Sequence, residues 1–453
     1  MIATNRHWHL IASFASGLIG LLILTMAVIL QSSQVQASTA TDFMVKTRND
    51  SYKIFLPAVL NKSRNLRVYV LVGDGESGAQ EYSAAMAAFE QQSGIQVVFE
   101  SSNDFQNDLV QRAISGTLPD VAFIPQPGLL AELMTNTIDL NDWYSSTYLQ
   151  QQYTPEWLSM ATRNGKLAGI WHRITIKSLV WYAKDDFDAA GYEVPTDWDE
   201  LAALSDQIVA DGGTPWCVGI ASGTASGWVG TDWVEDIMLR TSTPQNFDRW
   251  VAGELKFSSP EVKNAWETMG QIWFTENYVF GGRAEIPNIH FSEAVQPLFD
   301  DPPGCYLHRQ AMFLRGFFPE SAHIGDNVDY FLLPPIDPQY GDAVLVSGDL
   351  LSAFNDRYEV REFVEHITTK ESIDYYLEQG MYLSPHKDAT VDWYPDELEG
   401  FAKILINADT IRFDASDQMP KDVGAGTFWQ GIVDYVNDKD LKTILADIDA
   451  SWP

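Results

Sequence analysis

What most limits the fold of this chain is an alternation of apolar runs and amphipathic segments that starts at Leu66. Leu66–Val72 is almost continuously apolar, the pattern of a strand covered on both faces. Glu81–Gln92 then carries Tyr82, Met86 and Phe89 at helical spacing, with Gly94 as a stop. Ile95–Phe99 reads as a second strand. Asp104 can cap a helix that shows Phe105, Leu109 and Ala113 on one face. Asp120–Ile124 is a third strand, closed by Pro125 and Pro127. Strand, helix, strand, helix, strand in this order predicts an α/β fold with a parallel sheet. Ligands of such sheets sit in the loops at the strands' carboxyl ends. Further on, Thr196 with Asp199 predicts a capping box ahead of Trp198, Leu201, Leu204 and Ile208. Pro260 opens a helix bearing Val262, Trp266, Met269 and Trp273.

The segment before this unit reads as a targeting signal. Met1–His9 carries Arg6 and no acid, Leu10–Leu30 is apolar apart from small Ser, Thr and Gly, and Val35-Gln36-Ala37 suits cleavage. The apolar run is also about long enough to span a bilayer, so residues 1–37 are an export signal or a membrane anchor. No cysteine lies near the cleavage point, which excludes a lipoprotein anchor. Residues 38–65 mix Ser, Thr, Asn, Asp and Lys around one apolar island broken by Pro57, the composition of a linker.

Charge and cysteine usage narrow the function. Acids outnumber bases 62 to 29, a net −33, so nucleic acid and anionic lipid would be repelled. Two cysteines cannot build a disulfide scaffold or a four-thiolate zinc site. In an oxidising space Cys217 and Cys305 are expected to pair, the alternative being two buried thiols. Gly73-Asp74-Gly75-Glu76-Ser77-Gly78, directly after a strand, has the form of a dinucleotide fingerprint. Asp74 and Glu76 oppose that reading, because they would place two carboxylates against a pyrophosphate. The same carboxylates suit a neutral polyol, whose hydroxyl groups they can accept from.

Several separated blocks carry a family resemblance. They are Lys177-Ser-Leu-Val-Trp-Tyr182, Thr214-Pro-Trp-Cys217, Gly227-Trp-Val-Gly-Thr-Asp-Trp-Val-Glu-Asp236, His308-Arg-Gln-Ala311, Gly424-Ala-Gly-Thr-Phe-Trp429 and Ile448-Asp-Ala-Ser-Trp-Pro453. From Leu66 to the C-terminus the chain resembles the extracellular solute-binding proteins of ABC sugar importers. It is most similar to the alpha-glucoside-binding branch and more distantly to maltose-binding proteins. The resemblance implies the two-lobed periplasmic-binding-protein fold, type II, each lobe a mainly parallel sheet flanked by helices. A hinge of crossing segments would join the lobes, which close over the sugar. The first crossing is expected around Ile170–Leu179, with returns near Ala343 and residue 400. Lobe one would be 66–172 plus 343–400, and lobe two 173–342 plus 401–453. The expected partners are a small oligosaccharide ligand and a membrane permease pair with its cytoplasmic ATPase. No cofactor and no metal are expected, and the protein is expected to be a monomer.

A sugar has apolar C–H faces for aromatic rings and hydroxyl edges for charged or amide side chains. The candidate ligand-binding residues, expected on loops, are Asp74, Glu76 and Asp104 in the first lobe and Trp171 and Arg173 near the crossing. Trp228, Asp232 and Arg309 follow in the second lobe, and Asp349 on the return. Trp429 falls where the resemblance places a stacking aromatic at the start of a late helix. Trp181, Trp198, Trp266 and Trp273 sit in strand or helix patterns and read as core. For each carboxylate a capping or solvated role is the plain alternative. Catalytic motifs are lacking: there is no His-Glu-x-x-His and no G-x-S-x-G elbow. The rival classes are a secreted glycoside hydrolase acting on alpha-glucosides, which would use two carboxylates across a cleft, and an exported dinucleotide-binding oxidoreductase.

Overall fold

The computed structural model describes residues 43–46, 51–54, 67–72 and 75–453. The segment 1–37, most of the spacer 38–65, Asp74 and the side chain of Glu76 lie outside the described residues. Within the spacer, β1 (Phe43–Lys46) and β2 (Ser51–Ile54) pair antiparallel, Phe43 opposite Ile54. This hairpin belongs to a unit of its own, and the rest, Arg64–Pro453, forms a second.

The larger unit is built on two sheets. The apolar runs become β3 (Arg67–Val72), β4 (Gln96–Ser101) and β5 (Val121–Ile124), and β3 pairs parallel with both others. The helix between β3 and β4 ends at Gly94, whose φ of 71° is the left-handed conformation expected of a glycine stop. After a short hairpin, β6 (Thr162–Arg163) with β7 (Lys166–Leu167), the chain enters β8 (Ile170–Ile176) and runs on into β9 (Leu179–Ala183). Every residue of β8 and β9 is buried. β8 lies in the larger, six-stranded sheet, and β9 is the centre of a three-stranded sheet between β10 (Leu307–Arg309) and β11 (Val328–Leu332). A single extended stretch therefore crosses from one sheet to the other, with Lys177 and Ser178 at the junction.

The chain comes back along β12 (Ala343–Ala353), the longest strand among the described residues. Its first residues pair parallel with β13 (Thr410–Phe413), its middle antiparallel with β8, and its end antiparallel with β5. The larger sheet thus keeps β13, and the chain leaves it at Asp414. The smaller sheet differs in its ladders: β10 and β11 both run antiparallel to β9, because β9 is a continuation of β8 and the chain returns on either side of it. Parallel pairing there is confined to isolated bridges, such as Trp216 with Leu307 and with Val279.

Two apolar cores follow from the two sheets. One gathers Val68, Val70, Phe123, Leu351 and Phe363 about the larger sheet. The other gathers Trp216, Trp233, Trp266, Trp273 and Phe428 among the helices of the smaller one. Trp181 and Trp273 are fully buried, as their strand and helix patterns predict. The capping box is shifted by one residue from its predicted place. Asp197 is the cap, accepting from the Glu200 amide at 2.8 Å, while Glu200 reaches back to the Thr196 amide at 2.8 Å. Cys217 and Cys305 form a disulfide with a Cα–Cα distance of 5.5 Å.

Next to that bridge, on β10, the buried His308 turns Nδ1 toward the Cys217 carbonyl at 2.9 Å. Burial pulls its imidazole down to about 4. It stays neutral in the fold, while an unfolded imidazole takes a proton below about 6.5. This contribution is in place above pH 6.5 and is lost as the pH falls toward 4. Between pH 8 and pH 5 the wild-type chain is expected to lose roughly 2 kcal/mol relative to His308→Asn. Urea titrations of both at each pH measure this, and a difference that does not change with pH would contradict it.

Candidate functional site

Where the extended stretch passes between the sheets, it threads a set of buried charges. The Lys177 ammonium donates to Asp232 Oδ1 at 2.8 Å and also to Asp414. Asp232 lies on the helix Trp228–Thr241, and Asp414 directly follows β13. One turn further along that helix, Glu235 accepts from the amides of Ala415 and Ser416 at 2.8 and 3.0 Å. Asp414 in turn accepts from the Asp417 amide and the Ser416 hydroxyl, each at 2.8 Å. Asp232, Glu235 and Asp414 each place one oxygen within 4.8 Å of the others, the spacing of a metal cage. The cation beside them is the Lys177 ammonium. Burial pushes Asp232 up to about 7 against the pull of Lys177, and pushes Glu235 and Asp417 well above the ordinary carboxylate range. Burial opposes the charge on Lys177, yet its carboxylate neighbours hold it above its ordinary value.

A second layer fixes this cluster. Arg309 on β10 donates to Asp236 Oδ2 at 2.8 Å and stands 3.8 Å from Asp232. Asp236 also accepts from Ser178 Oγ at 2.7 Å and pairs with Arg240. Arg240 donates to the carbonyls of Leu333 and Ala343, each at 2.8 Å. The side chains of one helix therefore tie the outgoing and returning crossings together.

The middle of β8 carries a separate knot. Arg173 pairs with Asp349 of β12 at 2.5 Å and with Glu81 at 2.6 Å. The Tyr82 hydroxyl donates to Asp349 at 2.8 Å. The guanidinium lies 4.4, 4.7 and 3.8 Å from the ring centres of Tyr82, Tyr376 and Tyr382, cation–π distances.

Aromatic rings border the Lys177 cluster. Trp429 opens the helix Trp429–Val436, keeps 8 % of its surface exposed, and directs its indole N–H to Ser416 Oγ at 3.4 Å. Half-buried Trp228 lies 5.3 Å from the Lys177 ammonium and packs on Phe291 at 5.1 Å and on Phe313 at 6.1 Å. Gly227 makes this arrangement possible: at φ +107°, a Cβ there would come within 2.1 Å of the Trp429 carbonyl. Exposure left in the region belongs to a few side chains, among them Lys177 at 5 %, Asp349 at 6 % and Asp417 at 7 %.

The structure thus gathers Trp228, Asp232, Arg309 and Trp429 around Lys177, and Arg173 with Asp349 one stretch of strand away. Contrary to expectation, none of these candidates stands on a loop: Trp228, Asp232 and Trp429 are helical, and Arg173, Arg309 and Asp349 are on strands. Trp171 is set apart in the core, its ring centre 4.8 Å from that of Phe413 and its indole N–H on the Trp157 carbonyl. Exposed Asp104 accepts from Asn107 at 2.9 Å, and Asn107 accepts from Lys421 at 2.5 Å. These contacts tie residues 103–107 to Lys421 and to Thr224, which donates to the Asn103 carbonyl at 3.4 Å. Residues that sequence reasoning passed over are Lys177, Asp414, Asp417 and Tyr382. A lysine between two apolar strand runs was the available signal for Lys177, and the acids of Phe413-Asp-Ala-Ser-Asp417, directly after a strand, were the signal for Asp414 and Asp417; Tyr382 had no local signal.

Comparison with known proteins agrees with this architecture. Residues 73–373 match the model of the bacterial extracellular solute-binding protein family. The chain is 42 % identical over 387 residues to the osmoprotective compounds-binding protein GgtB of Synechocystis sp., covering 85 % of this chain and 91 % of the relative. It is 38 % identical over 387 residues to the alpha-glucosides-binding periplasmic protein AglE of Rhizobium meliloti, covering 82 % and 83 %. Among solved structures, a chitin oligosaccharide binding protein superposes with a TM-score of 0.71 at 16 % identity, covering 85 % of this chain and 98 % of that one. Maltose-bound T. maritima MalE3 gives 0.66 at 17 % identity, covering 85 % and 98 %. The chain belongs to the bacterial extracellular solute-binding proteins, the ligand-capturing rather than catalytic components of ABC importers.

Proposed function

We propose that this protein captures a small neutral alpha-glucoside between two lobes and hands it unaltered to a membrane permease pair driven by a cytoplasmic ATPase. The observation that carries the reading is the pair of polar knots on one crossing stretch, the Lys177 knot bordered by Trp429 and Trp228, in a chain whose relatives include a binder of alpha-glucosides. Lobe one is 66–172 plus 343–400 and lobe two 173–342 plus 401–453 as expected from sequence; the pairing of β8 and β13 with β12 supports moving two of these boundaries, to Lys177 and Asp414. The lobes turn about the crossing segments at Lys177, Ala343 and Asp414. Trp429 and Trp228 offer flat faces to sugar C–H groups. Asp349, Asp417 and, with them, Asp74 and Glu76 accept from hydroxyl edges. Asp232, Arg309 and Arg173 hold the carboxylates and ammonium in place from beneath. The protein works as a monomer outside the cytoplasm, and residues 1–37 export or tether it. Among the described residues no helix is long and apolar enough to cross a membrane.

Trp429→Ala tests the assignment. Calorimetric titration with maltose and trehalose is expected to show binding weakened by about 1–3 kcal/mol, the usual cost of truncating a buried aromatic contact. Affinity equal to that of the wild-type chain would remove Trp429 from the site.

A further inference from the structure

Alternate residues of a strand share a face, so Arg173, Thr175 and Lys177 of the crossing stretch stand in one row. From the first to the third is about 13 Å at the usual strand rise. The outer two are committed: Arg173 to Asp349 and Glu81, Lys177 to Asp232 and Asp414. The middle one is not. Thr175 is only 3 % exposed, yet its hydroxyl has no hydrogen-bond partner. Strand register sets Ser347 of β12 directly opposite it, beside the pairing of Asp349 with Arg173. A buried hydroxyl without a partner is costly. Its place is midway between two clusters that already hold their carboxylates in fixed positions.

We propose that Thr175 is a specificity-determining residue that hydrogen-bonds the middle of the ligand. This deepens the functional reading above and rests on it. A hydroxyl can both donate and accept, as can the hydroxyl groups of a sugar. The row favours a neutral glycoside of two-ring length, one ring beside Arg173 and Asp349 and the other beside Lys177 and Trp429. The junction of the two rings then lies over Thr175. Analogues lacking a hydroxyl at that junction are rejected, because the buried Thr175 hydroxyl stays unpaired.

The test compares Thr175→Val and Thr175→Ser with the wild-type chain, using calorimetric titration with maltose and trehalose and thermal unfolding without ligand. Thr175→Val is expected to bind about tenfold more weakly, the loss of one hydrogen bond. Thr175→Ser is expected to stay within about twofold. Without ligand, Thr175→Val should melt at or above the wild-type temperature, since it removes an unpaired polar group. Wild-type affinity in Thr175→Val, or a clear fall in its ligand-free melting temperature, would overturn the role of Thr175 while the functional reading stands. A wild-type chain that binds neither sugar would overturn both.

Discussion

Lys177→Met is expected to cost about 3–5 kcal/mol of folding stability near pH 7.5, the usual result of removing one partner from a buried ion pair. Methionine fills much of the same volume, so packing changes little. What is lost is the ammonium that faces Asp232 and Asp414, with Glu235 and Asp417 close behind. These carboxylates cannot reach water, since Asp232, Glu235 and Asp414 are almost completely buried. They respond by holding protons. Burial already pushes Asp232 up to about 7, and removing the ammonium pushes it further. A carboxyl whose value is raised in the fold destabilises it above the unfolded value, and that loss fades as the pH falls. The penalty of Lys177→Met is therefore largest at neutral and higher pH and shrinks toward pH 5. Adding Asp232→Asn should recover part of it, a coupling that a double-mutant cycle measures. Denaturant titrations supply the numbers, and a cost below about 1 kcal/mol at pH 7.5 would mean that the network does not hold the crossing together.

Breaking the Cys217–Cys305 bridge is the second large effect. The cysteines are 88 residues apart in sequence. Closing a loop of that size restricts the unfolded chain, which corresponds to about 4–5 kcal/mol in the chain-entropy model. The loop contains the helices Trp228–Thr241 and Pro260–Trp273, so it encloses most of the core beside the smaller sheet. Cys217→Ala with Cys305→Ala should match the reduced wild-type chain in denaturant titrations. Both should fall below the oxidised chain by that amount. Equal stability with and without reductant would contradict it. Because His308 and Arg309 follow Cys305 on β10, loosening this strand should also weaken ligand binding through the contacts of Arg309 with Asp236 and Asp232.

Several elements beside both sheets were readable from sequence because their signals are local. A continuous apolar run marks β3, Gly94 marks the end of a helix, and Pro260 marks the start of another. The shift of the capping box shows the limit of such signals. Thr196-Asp-Trp-Asp-Glu200 contains two overlapping pairs at the right spacing, and the reach of the longer Glu200 side chain decides between them. The glycine pattern at 73–78 looked like a nucleotide loop by spacing alone. The helix Gly75–Ala85 begins inside that pattern, and its Glu81 pairs with Arg173.

The site was harder to read, because its partners meet only through the fold. Arg173 and Asp349 are 176 residues apart, and Lys177 and Asp414 are 237 apart. No local pattern links them. Residue type suggested Arg173, Asp232, Arg309 and Asp349 as polar groups of the site. It could not show that they bind one another first and support the less buried Asp417 and Trp429. Trp171 illustrates the opposite error: an aromatic near a crossing suits a sugar face, yet its neighbours Trp157 and Phe413 make it core.

The central claim is a clamp that grips a neutral sugar and releases it unchanged. Its most direct measurement is calorimetric titration of the exported chain with maltose and trehalose, followed by chromatography of the recovered sugar. Saturable one-to-one binding with all of the disaccharide recovered intact is the expected result. Absence of heat with every alpha-glucoside, or release of free glucose during the titration, would contradict it.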